Sequence, residues 1–104
     1  MHFVVLGEHT AHLCPTANAT TRELLLKVAP EIPALAEKHG VTIVAGPYVN
    51  REHLTVVVVE TERAEDLDRF LVESRLAQWN TLRILPSLSM QAGIEELNEL
   101  PALY

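Results

Sequence analysis

The residues of this chain best suited to chemistry sit early, in the segment His9-Thr-Ala-His12-Leu-Cys14, and again at His53. Imidazole nitrogens and a thiolate are the borderline-to-soft donors that zinc, iron and copper accept, so His9, His12 and Cys14, with His53 and Glu8 in reach, form a candidate metal set. His-x-x-His-x-Cys is not an established ligand spacing, and histidines in loops are commonly just solvated. Without a metal, His9 remains a candidate catalytic residue, because an imidazole titrating near neutrality can take and return a proton. The ordinary alternative is a strand-end histidine held in a hydrogen bond. Cys14 would become a nucleophile if His9 or His12 favoured its thiolate, but a lone cysteine before Pro15 is more often a small hydrophobe. Tyr48, Asn50, His53 and Arg83 are candidate substrate-binding groups. Of these Arg83 suits an anion, although a cross-strand ion pair explains it equally well. Glu60 closes an apolar run and reads either as a buried acid or as an exposed strand terminus. Trp79 reads as packing at a helix-strand junction.

Four strand-like segments must position these groups. His2 to Glu8 carries Phe3, Val4, Val5 and Leu6, the profile of a short buried strand. A polar stretch follows from His9 to Ala19. Thr20 with Glu23 then gives a capping-box pattern ahead of Leu24, Leu25 and Val28, which predicts a helix from about Thr21. Pro30 and Pro33 should kink that helix or split it into two helical pieces before it stops at His39-Gly40. Val41 to Val49 reads as a second strand, interrupted by Gly46-Pro47 in a way that suits a bulge or a sheet edge. Asn50-Arg51-Glu52 supplies turn chemistry, and Leu54 to Glu60 is a β-branched run apolar on both faces. Glu62, Glu65 and Asp66 open a second helix, with Leu67, Phe70 and Leu71 on one face, running to about Asn80. Leu82 to Leu88 reads as strand four. Gln91 to Leu100 reads as a short acidic tail helix with Ile94, Leu97 and Leu100 as its stripe.

Composition narrows the classes of partner. A chain of 104 residues with 48% hydrophobic content suits one domain with a real core, here taken as residues 1–104. Eight basic against fourteen acidic residues give a net charge of −6, and no basic cluster interleaves with aromatics, so nucleic acid is an unsuitable partner. No apolar run approaches the roughly 18 residues of a membrane span. The start, Met-His-Phe-Val-Val, lacks the basic region and cleavage site of a signal peptide, and Cys14 has no second cysteine to pair with. The expectation is a cytoplasmic protein.

The order β-α-β-β-α-β with right-handed crossovers is that of a ferredoxin-like α+β fold. It implies a four-stranded antiparallel sheet in the order 4-1-3-2, both helices on one face, and a short C-terminal helix. In that order the end of strand one lies beside the start of strand three, the end of strand two and the start of strand four, so His9, His53, Tyr48 and Asn50 converge. The valine run predicts that the face without helices packs on a second copy in a two-fold homodimer.

With this element order, and with Gln78-Trp79-Asn80 and Ile84-Leu85-Pro86 in the last third, the chain resembles the dimeric α+β barrel superfamily. Its members include muconolactone isomerase and small monooxygenases. The resemblance spans nearly the whole chain as a pattern of elements, and locally it is to a group of uncharacterised proteins. It implies a homodimer with a ligand-sized cavity in each protomer, and no catalytic set carries over. The leading expectation is a small-molecule-handling protein, an isomerase or a cofactor-independent oxygenase, with His9 as the proton-transfer residue. Its rivals are a metal-binding protein using the His/Cys set and a non-catalytic interaction module that docks through its tail helix. No cofactor is implied other than the alternative zinc, iron or copper ion.

Overall fold

The two central strands alternate cleanly between a covered and an uncovered side in the computed structural model, which describes residues 1–104. Four strands, β1 (His2–Glu8), β2 (Thr42–Tyr48), β3 (Leu54–Glu60) and β4 (Thr81–Ser87), form one sheet in the order β2-β3-β1-β4. All three pairings are antiparallel. The ferredoxin-like order and helix placement therefore stand as expected. In register, Val5 lies between Val57 and Ile84, and Gly7 lies between Thr55 and Leu82.

One side of the sheet holds the core. Phe3 and Val5 from β1 and Val57 and Val59 from β3 pack with Ala36, Val41, Leu67, Phe70, Leu71, Leu76 and Trp79. The helices reach it by ordinary amphipathic spacing. In α3 (Ala64–Glu73), Leu67, Phe70 and Leu71 fall on one buried stripe, and Glu65 and Asp66 occupy the first turn, where negative charge meets the helix dipole.

Helix boundaries differ from expectation in two places, at the first cap and at Arg75, while the prolines split the first helix as expected. The first helix, α1 (Ala19–Val28), is capped by Asn18, whose Oδ1 accepts from the Thr21 amide at 3.0 Å, so the Thr20-Glu23 pair is not the cap. The prolines then divide the helical run. A 3-10 turn at Ala29–Glu31 separates α1 from α2 (Ile32–Lys38), and each proline sits in the first turn of its own piece, where a missing amide hydrogen costs nothing. Further on, Arg75 takes a left-handed conformation with φ of 66°, ending α3 and starting the short α4 (Leu76–Trp79). That break swings Leu76 and Trp79 back into the core and delivers Asn80, 7% exposed, to the start of β4.

On β2 the register shifts twice against β3 around Gly46-Pro47, as an edge strand tolerates. Gly46 has φ of 85°, and a Cβ there would stand 2.6 Å from the Val56 carbonyl oxygen, so only glycine fits.

The expected dimeric barrel is corrected by this architecture. β2 and β4 are free edges of an open sheet that does not curl closed, and no interface with a second copy is shown, so neither the barrel nor the homodimer belongs to the description of this fold. The physical reason is strand number: four seven-residue strands twist but are too few to meet edge to edge. The sheet side away from the helices carries Val4, Leu6, Val56, Val58 and Leu85, all partly exposed. α5 (Met90–Glu99) has no buried residue and stands off the sheet, drawing the molecule out to 53 × 30 × 18 Å. No helix is long and apolar enough to cross a membrane.

Candidate metal centre

The end of β1 carries the site. His9 follows Glu8 directly, and its amide donates to the His53 carbonyl at 3.2 Å, extending the β1–β3 ladder by one bond. His53 leaves the Asn50 turn with φ of 60°, a left-handed conformation that costs a non-glycine residue some energy. Asn50 builds that turn. Its Oδ1 accepts from the amides of Glu52 (3.1 Å) and Leu54 (3.2 Å), and its Nδ2 donates to the Leu54 carbonyl at 2.8 Å.

Cys14 arrives from a different direction. Its amide donates to the Thr10 carbonyl at 3.1 Å, and its own carbonyl accepts from Ala17 and Asn18, so the stretch is a series of tight turns. Arg22 of α1 clamps that series by donating to the Pro15 and Thr16 carbonyls, both at 2.8 Å. The thiol is thereby buried and held facing the two imidazoles.

The result is three ligand-type side chains, His9 and Cys14 from the β1–α1 loop and His53 from the turn before β3, with donor atoms all within 4.8 Å of one another. The histidine rings meet edge to face with centroids 5.4 Å apart, and the Trp79 ring packs against His9 with centroids 5.0 Å apart.

Hydrogen bonding then decides which histidine atoms are free. His9 Nδ1 lies 2.9 Å from Asn80 Oδ1, and the Asn80 Nδ2 donates to the Leu76 carbonyl at 3.1 Å. That second bond fixes the amide with its oxygen toward His9, so Nδ1 carries the proton and Nε2 carries the lone pair. His9 Nε2 is buried with no partner, and so is His53 Nδ1. Gly7 makes room for the arrangement: a Cβ there would lie 3.2 Å from Asn80 Oδ1 and 3.1 Å from the Leu82 side chain.

The Cys14 thiol is pulled from its ordinary 9.0 to about 6. The Thr16 hydroxyl, 3.0 Å from Sγ, is the largest cause, followed by the Thr16 backbone; burial opposes them. Sulfur at this site is thus largely thiolate at neutral pH, the form that binds metals and attacks electrophiles.

The remaining candidates lie apart from this trio. His12 is exposed on the loop, Tyr48 is 62% exposed on the edge strand, and Glu8 is exposed. Arg83 is exposed opposite Leu6, on the sheet side away from the helices. Glu60 is exposed, with its carboxylate 3.7 Å from His2. Asn80, Thr16 and Arg22 escaped the sequence reading. An asparagine or threonine announces nothing until the partner it touches is known, and only the neighbouring Trp79-Asn80 pair had drawn notice.

A cleft of about 580 Å³ opens beside His9 and Asn80, lined also by Glu8, Thr10, Gln78 and Trp79. It gives a small molecule a route to the outer side of the imidazole. Comparison of the chain with protein-family models, with curated proteins and with solved structures returns no match.

Proposed function

We propose that this chain is a metal-binding protein whose centre is His9 Nε2, His53 Nδ1 and the Cys14 thiolate, with zinc as the ion these donors suit best and copper or iron as competitors. One observation carries the reading: the two imidazole nitrogens left without partners are buried beside the only thiol, all within 4.8 Å. Two buried imidazole nitrogens without partners are a cost that coordination removes. Donors around a tetrahedral zinc stand about 3.4–3.6 Å apart, given bonds of about 2.0–2.3 Å, so closure asks for an inward movement of roughly 1 Å. Asn80 acts as an outer partner, fixing the tautomer that offers Nε2. Elemental analysis of gently purified protein should find close to one equivalent of metal, and His9→Ala, Cys14→Ser and His53→Ala should each lose it. A wild-type protein that remains metal-free after equilibration with zinc, copper and iron overturns the proposal.

The cleft beside His9 favours a second reading, in which His9 moves a proton on a small organic molecule, as an isomerase or a cofactor-independent oxygenase requires. The two readings part on Cys14. Proton transfer by His9 alone survives Cys14→Ser, whereas metal binding does not.

A further inference from the structure

The chain has three buried side-chain polar atoms without a partner, and two of them are the imidazole nitrogens of the centre. The third is the hydroxyl of Thr55, a residue 7% exposed on β3. Its place is not random. Thr55 is the register partner of Gly7, and Asn80 Oδ1 sits 3.2 Å from where a Gly7 Cβ would stand, so Thr55, Gly7 and the Asn80–His9 pair are neighbours on the helix side of the sheet. His53 is two residues before Thr55 on the same chain segment.

A hydroxyl in such a place loses its water partners on folding and regains nothing, a cost that selection tolerates where a guest restores the bond. The metal ligand group itself contains only three residues. Three protein donors leave a tetrahedral ion one position short, the pattern of centres that take an exogenous ligand rather than of closed structural ones.

Resting on the metal reading above, we propose that the centre keeps its fourth position for a small exogenous donor of the water, hydroxide or monoanion class, and that the Thr55 hydroxyl hydrogen-bonds that donor. Thr55 is a positioning residue in this arrangement, reaching the ion only through the guest it holds.

The test uses Co(II) as a visible stand-in for zinc and azide as the probe anion. Loading the 104-residue chain with Co(II) should produce thiolate-to-cobalt absorption that Cys14→Ser abolishes, and azide should then shift the visible bands in a saturable way. Thr55→Val should weaken azide about tenfold while leaving cobalt stoichiometry unchanged, and Thr55→Ser should restore it. The metal-free Thr55→Val protein should melt no lower than wild type, because the substitution removes an orphan hydroxyl. Cobalt absorption that azide never moves overturns the open position while leaving the metal centre intact. Absence of cobalt-thiolate absorption overturns the metal reading and this inference together. Equal azide affinity in wild type and Thr55→Val removes Thr55 from the arrangement.

Discussion

At the residue scale the centre depends on protonation states that single contacts set. Holding the Cys14 thiol at about 6 means that metal-free protein should react with iodoacetamide along a pH curve with its midpoint near 6 rather than near 9, and that added zinc should suppress the reaction. A depressed pKa also links to folding. The unfolded thiol titrates near 9.0 and the folded one near 6, so the thiolate's contribution is full above 9 and fades as pH falls, being lost below about 6. Metal-free Cys14→Ser should therefore lack the part of the stability-versus-pH slope that wild type shows between those values, which denaturant titrations at several pH values would read. Asn80 is the other single point of control. Asn80→Ala frees the His9 ring to take either tautomer, and zinc affinity should fall about 10- to 100-fold in a competition assay with a chelating dye. His9, Cys14 and His53 were legible in the sequence because their types are chemically conspicuous. Asn80 was not, since its role exists only through an atom 71 positions away in the chain.

At the element scale, the loop between β1 and α1 matters because it carries two of the ligands, His9 and Cys14, while His53 stands just before β3. Arg22 holds that loop from outside through two carbonyls. Arg22→Met keeps the aliphatic stem and removes the clamp, so the helix should persist by circular dichroism while zinc binds several-fold more weakly. Gly7 tests the strand side. Gly7→Ala forces a methyl against Asn80 and Leu82, and should cost about 1–3 kcal/mol in denaturant unfolding together with loss of metal affinity. Strand positions and the alternation of Thr55, Val57 and Val59 toward the core follow from period-two patterning, which depends only on neighbouring residues. The Arg75 break was not legible for the opposite reason: nothing in Ser74-Arg75-Leu76 demands a left-handed residue, and the turn is imposed by the need to return Leu76 and Trp79 to the core.

Across the whole molecule, the helix-covered side of the sheet and the projecting α5 behave as separate concerns. α5 buries nothing, so a chain ending at Ser89 should keep its metal stoichiometry and most of its thermal stability, measured by elemental analysis and by melting. Phe70→Ala, by contrast, empties the middle of the core and should cost about 3–5 kcal/mol. The valine run shows how far pattern alone reaches. It correctly placed a strand apolar on two sides, yet the barrel that the family resemblance implied requires closure, and closure depends on the number, twist and edges of strands rather than on what any one strand contains. By itself the sequence determined the order of elements, the strand pairing and the gathering of His9 and His53 at one sheet end, because hydrophobic period and connection handedness are local constraints with few solutions. Tertiary structure alone decided that His12 stays outside the set, and which imidazole nitrogens are left free. Those outcomes turn on differences of an ångström or two and on hydrogen bonds between residues far apart in the chain, which no spacing of letters encodes.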